Sequence, residues 1–288
     1  MTYRRRSSPL HAARAGVGSL YCVVLAGVAL SVEHPLILVA LLLAVLLAAA
    51  GAQVLGPVAR SLLWGLPFAL VIAAVNALVV RDGLTVIARF GELPPLGQID
   101  VTLEATAYGG VLALRALIVI ACFALHSAAV DPDELLRAFR RLSFRSALTA
   151  ALATRMVPVL ARDARRFRDA QRCRPGQPAS RLALARAVTS GALDRAVDVA
   201  ATLEVRGYGG SGRPARRVRP WSRHDLAFAV SAAALVGIGL AAALGGWETF
   251  EAYPRLVVTF GGSELALAAA LCGVALLPFA DRRGVGSR

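Results

Sequence analysis

Every basic side chain in this 288-residue sequence is an arginine: there are 32, against 18 acidic residues, and no lysine. That choice removes whole classes of chemistry. A Walker A phosphate loop, a Schiff base and a Ser-Lys dyad all need a lysine amine, so the chain is no P-loop ATPase. Cys22, Cys122, Cys173 and Cys272 form no C-x-x-C pair, and three of them fall inside apolar runs. That signals neither zinc nor a disulfide framework, and the thiols read as small buried hydrophobes. His11, His34, His126 and His224 are scattered. Asp194 and Asp198 share a helical face beside Arg195 and read as solvated or paired carboxylates. No catalytic constellation, metal set or cofactor set emerges. The sequence predicts a chain that is not an enzyme and binds no cofactor itself.

Two arginines remain as the chemically pointed residues. A guanidinium offers five N–H donors in a fixed fork, which suits a carboxylate pocket on another protein. Arg174 and Arg206 each close a long amphipathic pattern, and a helix breaker follows each at once. Gln171-Arg172-Cys173-Arg174-Pro175-Gly176 stands beside Leu203-Glu204-Val205-Arg206-Gly207-Tyr208. Favourable placement at the negative end of a helix dipole, about 0.3–1 kcal/mol, explains one such arginine. Its repetition favours docking to a partner.

The elements that position these arginines are legible from the pattern. Asp131-Pro132-Asp133-Glu134 reads as a helix start, with Asp131 as cap, Pro132 at the first helical position and Glu134 at capping-box spacing. A short helix follows through Leu135, Leu136, Phe139 and Leu142. A long one over Ala147–Arg174 places Leu152, Met156, Leu160, Ala164 and Phe167 on one face and most arginines elsewhere, with a kink expected at Pro158. Pro175 to Pro178 breaks the chain. A third helix, Arg181–Arg206, carries Ala185, Val188, Ala192, Ala196, Val199 and Leu203, and stops at the glycine-rich run from Gly207.

The rest of the chain is membrane. Hydrophobic residues make up 57%, and several apolar runs approach the roughly 20 residues that cross a bilayer. Six spans are expected: Val17–Ser31, Leu36–Leu55, Leu62–Val80, Ala105–Val130, Leu226–Leu244 and Glu264–Ala280. The first run follows Arg4, Arg5 and Arg6 but lacks a clear cleavage site, so it reads as a span. With the N-terminus inside, inner segments hold 28 arginines and outer loops only Arg81, Arg89 and Arg255. This positive-inside bias predicts a multi-pass cell-membrane protein with both termini cytoplasmic. Residues 1–130 form a four-span N-terminal domain, 131–225 a cytoplasmic domain, and 226–288 a C-terminal hairpin. Twenty arginines lie between Asp131 and Asp225. Topology and attraction to the lipid bilayer account for most of them, and nucleic acid is disfavoured because no aromatics are interleaved. Arg115, within span four, reads equally as a pairing or a substrate-path residue. Asn76 reads as an interhelical hydrogen bonder.

The ordered set of motifs resembles the transmembrane T component of energy-coupling factor (ECF) transporters, the EcfT/CbiQ family. The matching residues are Asp131-Pro132-Asp133-Glu134-Leu135-Leu136, then Arg155-Met156-Val157-Pro158, then Asp169-Ala170-Gln171-Arg172-Cys173-Arg174, and finally Leu203-Glu204-Val205-Arg206-Gly207-Tyr208-Gly209. A weaker match includes Ser8-Pro9-Leu10-His11. The resemblance implies an all-α membrane protein that couples two cytoplasmic ATPases to a membrane-embedded substrate-binding S component. ATP is then used by the ATPase partners. The long amphipathic helices become coupling helices, and Cys173-Arg174-Pro175 and Val205-Arg206-Gly207 become the motifs that dock in the ATPases. The first motif departs from the family's more usual Ala-Arg-Gly, and Ala12-Ala13-Arg14-Ala15-Gly16 replaces a polar stretch after His11. Recognition in this family lies in the S component, so cobalt, nickel, biotin and other vitamins all stay open as cargo. From charge alone, the competing reading is a membrane anchor or sensor whose basic loop binds anionic lipid or a signalling protein.

Overall fold

The computed structural model describes residues 6–80, 85–93, 97–139, 144–173, 180–207, 220–245, 250–251, 257–258 and 261–281. The chain divides into two compact units, Met1–Leu135 with Trp221–Arg288, and Leu136–Pro220.

The first unit holds a short helix α1 (Pro9–Ala12), then α2 (Ala15–Ser31), α3 (Pro35–Gly51) and α4 (Leu55–Val79). An antiparallel ribbon of β1 (Val86–Leu93) and β2 (Gly97–Thr102) leads into α5 (Leu103–Ala129). After α6 (Pro132–Phe139), α7 (Phe144–Arg172) and α8 (Arg181–Val205), the chain returns through α9 (Arg223–Gly245). A minimal pair, β3 (Phe250–Glu251) and β4 (Val257–Val258), precedes α10 (Gly262–Ala280). Helices α4, α5, α9 and α10 are long and apolar enough to cross a membrane. α2 and α3, at 17 residues each, span about 25 Å at 1.5 Å per residue and sit at the short end of the spanning range. The architecture is all-α and membrane-spanning, with two small ribbons between spans.

α3 is the centre of this unit. Ile37, Leu38, Leu41, Ala44, Val45, Ala48 and Ala49 are all buried along it, and α4, α5 and α10 pack around it. Lipid is as apolar as leucine, so helices associate through close backbone approach and hydrogen bonds to carbonyls. Both devices are present. A Cβ on Gly109 of α5 would lie 2.8 Å from the Ala73 carbonyl oxygen of α4, and next to this contact Asn76 Nδ2 donates to the Ala105 carbonyl (3.2 Å). The Tyr21 hydroxyl donates to the Ala275 carbonyl at 2.7 Å, and Ser231 to that of Val274 at 2.7 Å. Tyr21, Phe228 and Phe279 meet edge to face, tying α2, α9 and α10 together.

Two expectations need correcting. The second span was expected to continue to Leu55 and the third to begin at Leu62, but the break falls at Ala52–Val54 and α4 starts at Leu55. Gln53 adopts a left-handed φ of 60°. Its N–H reaches the Ala50 carbonyl at 2.9 Å and that of Val54 reaches Ala49 at 2.8 Å, the paired bonds of a Schellman cap. Arg6 Nη1 also donates to the Gln53 carbonyl. Glycine is the usual left-handed residue, so a glutamine there hides the helix end from a sequence reading. Pro57 then falls in the first turn of α4, where a missing N–H has no cost. The β1–β2 ribbon was also unforeseen. It is short, and its register slips between Val86 and Ala88 and again between Arg89 and Glu92, which erases the strict alternation that marks a strand.

Candidate functional site

In the second unit, α7 and α8 pack against each other. Ser180 caps α8, its Oγ accepting from the Ala183 N–H at 3.2 Å, so the helix starts where the pattern predicts. α7 runs helical through Pro158. Its predicted seam is half-buried at Leu152, Met156, Leu160 and Ala164, whereas Phe167 is exposed. The arginines assigned to its other faces, Arg155, Arg162, Arg165, Arg166 and Arg172, are all exposed.

The seam of α8 keeps four of the six expected positions. Val188, Ala192, Val199 and Leu203 are half-buried, but Ala185 and Ala196 are exposed, while Leu184, Ala187, Gly191 and Arg195 are half-buried beside them. No residue of α8 is fully buried. Leu182, Leu193 and Val197 project at more than 60% exposure, a face far more apolar than a solvated helix needs. Between the helices, Arg195 Nη1 donates to Asp163 Oδ2 at 2.8 Å, with both side chains partly screened from solvent. Sequence reasoning missed this pair, because two charges 32 residues apart give no local signal. Asp131 Oδ1 accepts from the Asp133 N–H at 2.9 Å at the start of α6, so the predicted cap is in place.

Among the six predicted docking residues, Arg174 and Pro175 lie outside the described residues. Cys173 ends α7, its N–H on the Asp169 carbonyl at 3.3 Å and its side chain exposed. It is therefore a correction to the expectation of buried thiols, which Cys22 and Cys122 do meet. At the second motif the geometry is complete. Val205 is 90% exposed at the last position of α8. Arg206 is the C-cap, donating its N–H to Thr202 at 3.2 Å, and Gly207 turns the chain with a φ of 74° while donating to Glu204 at 2.8 Å. Glycine adopts that left-handed turn without strain. The Arg206 side chain projects into solvent, and among the described residues nothing holds its guanidinium. α8 thus ends in an exposed apolar residue and an exposed five-donor cation, followed by a left-handed glycine.

Two polar residues within the spans are accounted for in the membrane unit. Arg115 Nε and Nη2 both donate to the Val32 carbonyl, at 3.0 and 2.7 Å, and Nη2 pairs with Glu33 at 3.3 Å. This is the pairing role, and it fixes the tight α2–α3 turn to α5. Asn76 bridges α4 and α5, as expected. Among the described residues no three His, Cys, Asp or Glu side chains converge as a metal site.

A family model described as CbiQ, cobalt transport protein, matches residues 7–216, well over half of the chain. No curated protein matches it. The match spans the N-terminal spans and both amphipathic helices that carry the arginine motifs. The chain is therefore a multi-pass membrane component of a transporter and belongs to the CbiQ family of cobalt transport proteins.

Proposed function

We propose that this chain is the T component of an ECF-type importer for a transition-metal ion or vitamin. It passes ATP-driven motion from two cytoplasmic ATPases to a substrate-binding S component and forms or breaks no covalent bond itself. The observation that carries the reading is the end of α8, where the exposed Arg206 stands beside the exposed Val205 and ahead of the left-handed Gly207. The same role is assigned to Cys173-Arg174-Pro175 at the end of α7. In this reading residues 131–225 are cytoplasmic, both termini are inside, and the chain binds ATP only through its partners. The exposed Leu182, Leu193 and Val197 favour a protein partner over a purely solvated helix pair.

Coexpression with the neighbouring ATPase and S-component genes tests this. The wild-type chain is expected to co-purify with the ATPases, and Arg174→Glu with Arg206→Glu to release them. Cys173 is an internal reporter: a maleimide is expected to label it in the isolated chain and to be blocked in the complex. Cys22 and Cys122 are buried and are expected to stay unlabelled in both. Unchanged ATPase retention in the double variant, with loss of binding to anionic liposomes, would replace the coupling role by lipid anchoring.

A further inference from the structure

The first turns of α2 touch both ends of the chain segment that leaves the membrane unit and returns to it. On the leaving side, Ser19 Oγ lies 3.0 Å from His126 Nε2 in the last turn of α5. A Cβ on Gly18 would sit 3.4 Å from Val130 Cγ2 and 3.5 Å from Leu10. On the returning side stands Asp225, in the first turn of α9 and 0% exposed. It forms a reciprocal cap with Ser222: the Ser222 N–H donates to Asp225 Oδ2 at 2.9 Å, and the Asp225 N–H to Ser222 Oγ at 3.1 Å. Its other oxygen accepts the Arg14 N–H at 2.6 Å, while Arg14 Nε lies 3.3 Å from Oδ2. The Arg14 guanidinium stacks over Trp221, 5.3 Å from the ring.

Helix capping alone does not require this arrangement, because Ser222 is enough to satisfy the end of α9. A fully buried carboxylate is costly unless it is paired and hydrogen-bonded. Here the bonds beyond the cap go to Arg14, which is 211 positions away in sequence.

We propose that Arg14 and Asp225 form a clamp that gathers the exit and the return of the cytoplasmic segment onto the N-terminus of α2. Displacement of that segment then moves the membrane helices as one body instead of being lost at a loose junction. Both are positioning residues, and neither touches cargo. The proposal rests on the coupling reading above, so its test is built to separate the two.

The complete complex, with its ATPases and S component, is reconstituted in proteoliposomes, and radiolabelled Co²⁺ uptake is measured per ATP hydrolysed. In Arg14→Gln and Asp225→Asn the ratio is expected to fall by about fivefold or more, the lower end of what site-to-site coupling free energies produce. ATPase content and hydrolysis are expected to stay near wild type. Arg14→Lys keeps the charge but loses the planar stack on Trp221, and is expected to fall between. Asp225→Asn also weakens a buried cap. Arg14→Gln retains the backbone bond to Asp225 and carries the test if the other variant does not fold. An unchanged ratio in Arg14→Gln overturns the clamp. So does a fall in uptake that is matched by loss of ATPase or of thermal stability, since the pair then acts through folding alone. A wild-type complex that keeps its ATPases yet moves neither Co²⁺ nor, in the same assay, Ni²⁺ or biotin overturns the coupling reading, and the clamp with it.

Discussion

The two units of this molecule are both helical, yet they are held together by different means. In the membrane unit α3 alone has seven buried residues, and contacts reach down to backbone against backbone at Gly109 and Ala73. In Leu136–Pro220, α8 has no buried residue, and a surface ion pair, Asp163–Arg195, links it to α7. The first unit satisfies itself in lipid, where every polar group needs an internal partner. The second, read as water-facing, leaves Leu193, Val197 and Val205 uncovered. A helix pair in water normally buries such side chains, so this unit has the surface of a part that is completed by something else.

The largest expected effect tests the tighter side of this contrast. Gly109→Leu places a side chain where a Cβ already meets the Ala73 carbonyl at 2.8 Å and its Cα at 3.2 Å. Backbone cannot yield as a side-chain tip can. The cost is therefore expected at or above the roughly 1–3 kcal/mol typical of overpacking, read as a lowered melting temperature in detergent. A neutral result would mean that α4 and α5 are not locked together and would dissolve the contrast.

Arg115→Ala comes next. It strips two donors from the Val32 carbonyl and one partner from Glu33. An unmet buried acceptor costs about 1–3 kcal/mol, again measured by melting. Arg115→Lys is expected to recover only part, because an ammonium cannot reproduce the two-pronged contact. A substrate-path arginine would behave in the opposite way, with normal stability and impaired uptake.

How much of this was readable beforehand depends on the range of each interaction. The six apolar helices and the two amphipathic ones follow from periodicity and length, and the Asp131 cap from local capping chemistry. The Gly207 turn follows from the one residue type that favours it. What stayed hidden was long-range or exceptional. Gln53 occupies a left-handed position that its type does not advertise. Arg14 meets Asp225, and Asp163 meets Arg195, across separations that no local pattern encodes. Two of the six expected seam positions of α8, Ala185 and Ala196, proved exposed, because alanine marks an apolar face only weakly. In the site itself, Arg206 was legible because its chemistry is local: a helix end, a cation and a breaker.

The smallest expected effect tests the looser side, with another glycine. Gly191 sits half-buried in the interior of α8, one turn before the Arg195 that pairs with Asp163 of α7, and a Cβ there would meet nothing within 4 Å. Gly191→Ala therefore adds no clash and removes the backbone freedom that makes glycine a poor helix former. It is expected to stabilise α8 locally by about 0.5–1 kcal/mol, seen as slower amide exchange in Arg181–Val205 with the membrane unit unchanged. Adding a larger group to a glycine then has opposite signs in the two units. If Gly191→Ala instead speeds exchange, α7 and α8 approach more closely than their side chains indicate. The second unit would then be as self-contained as the first, and the case for a partner on its apolar face would weaken.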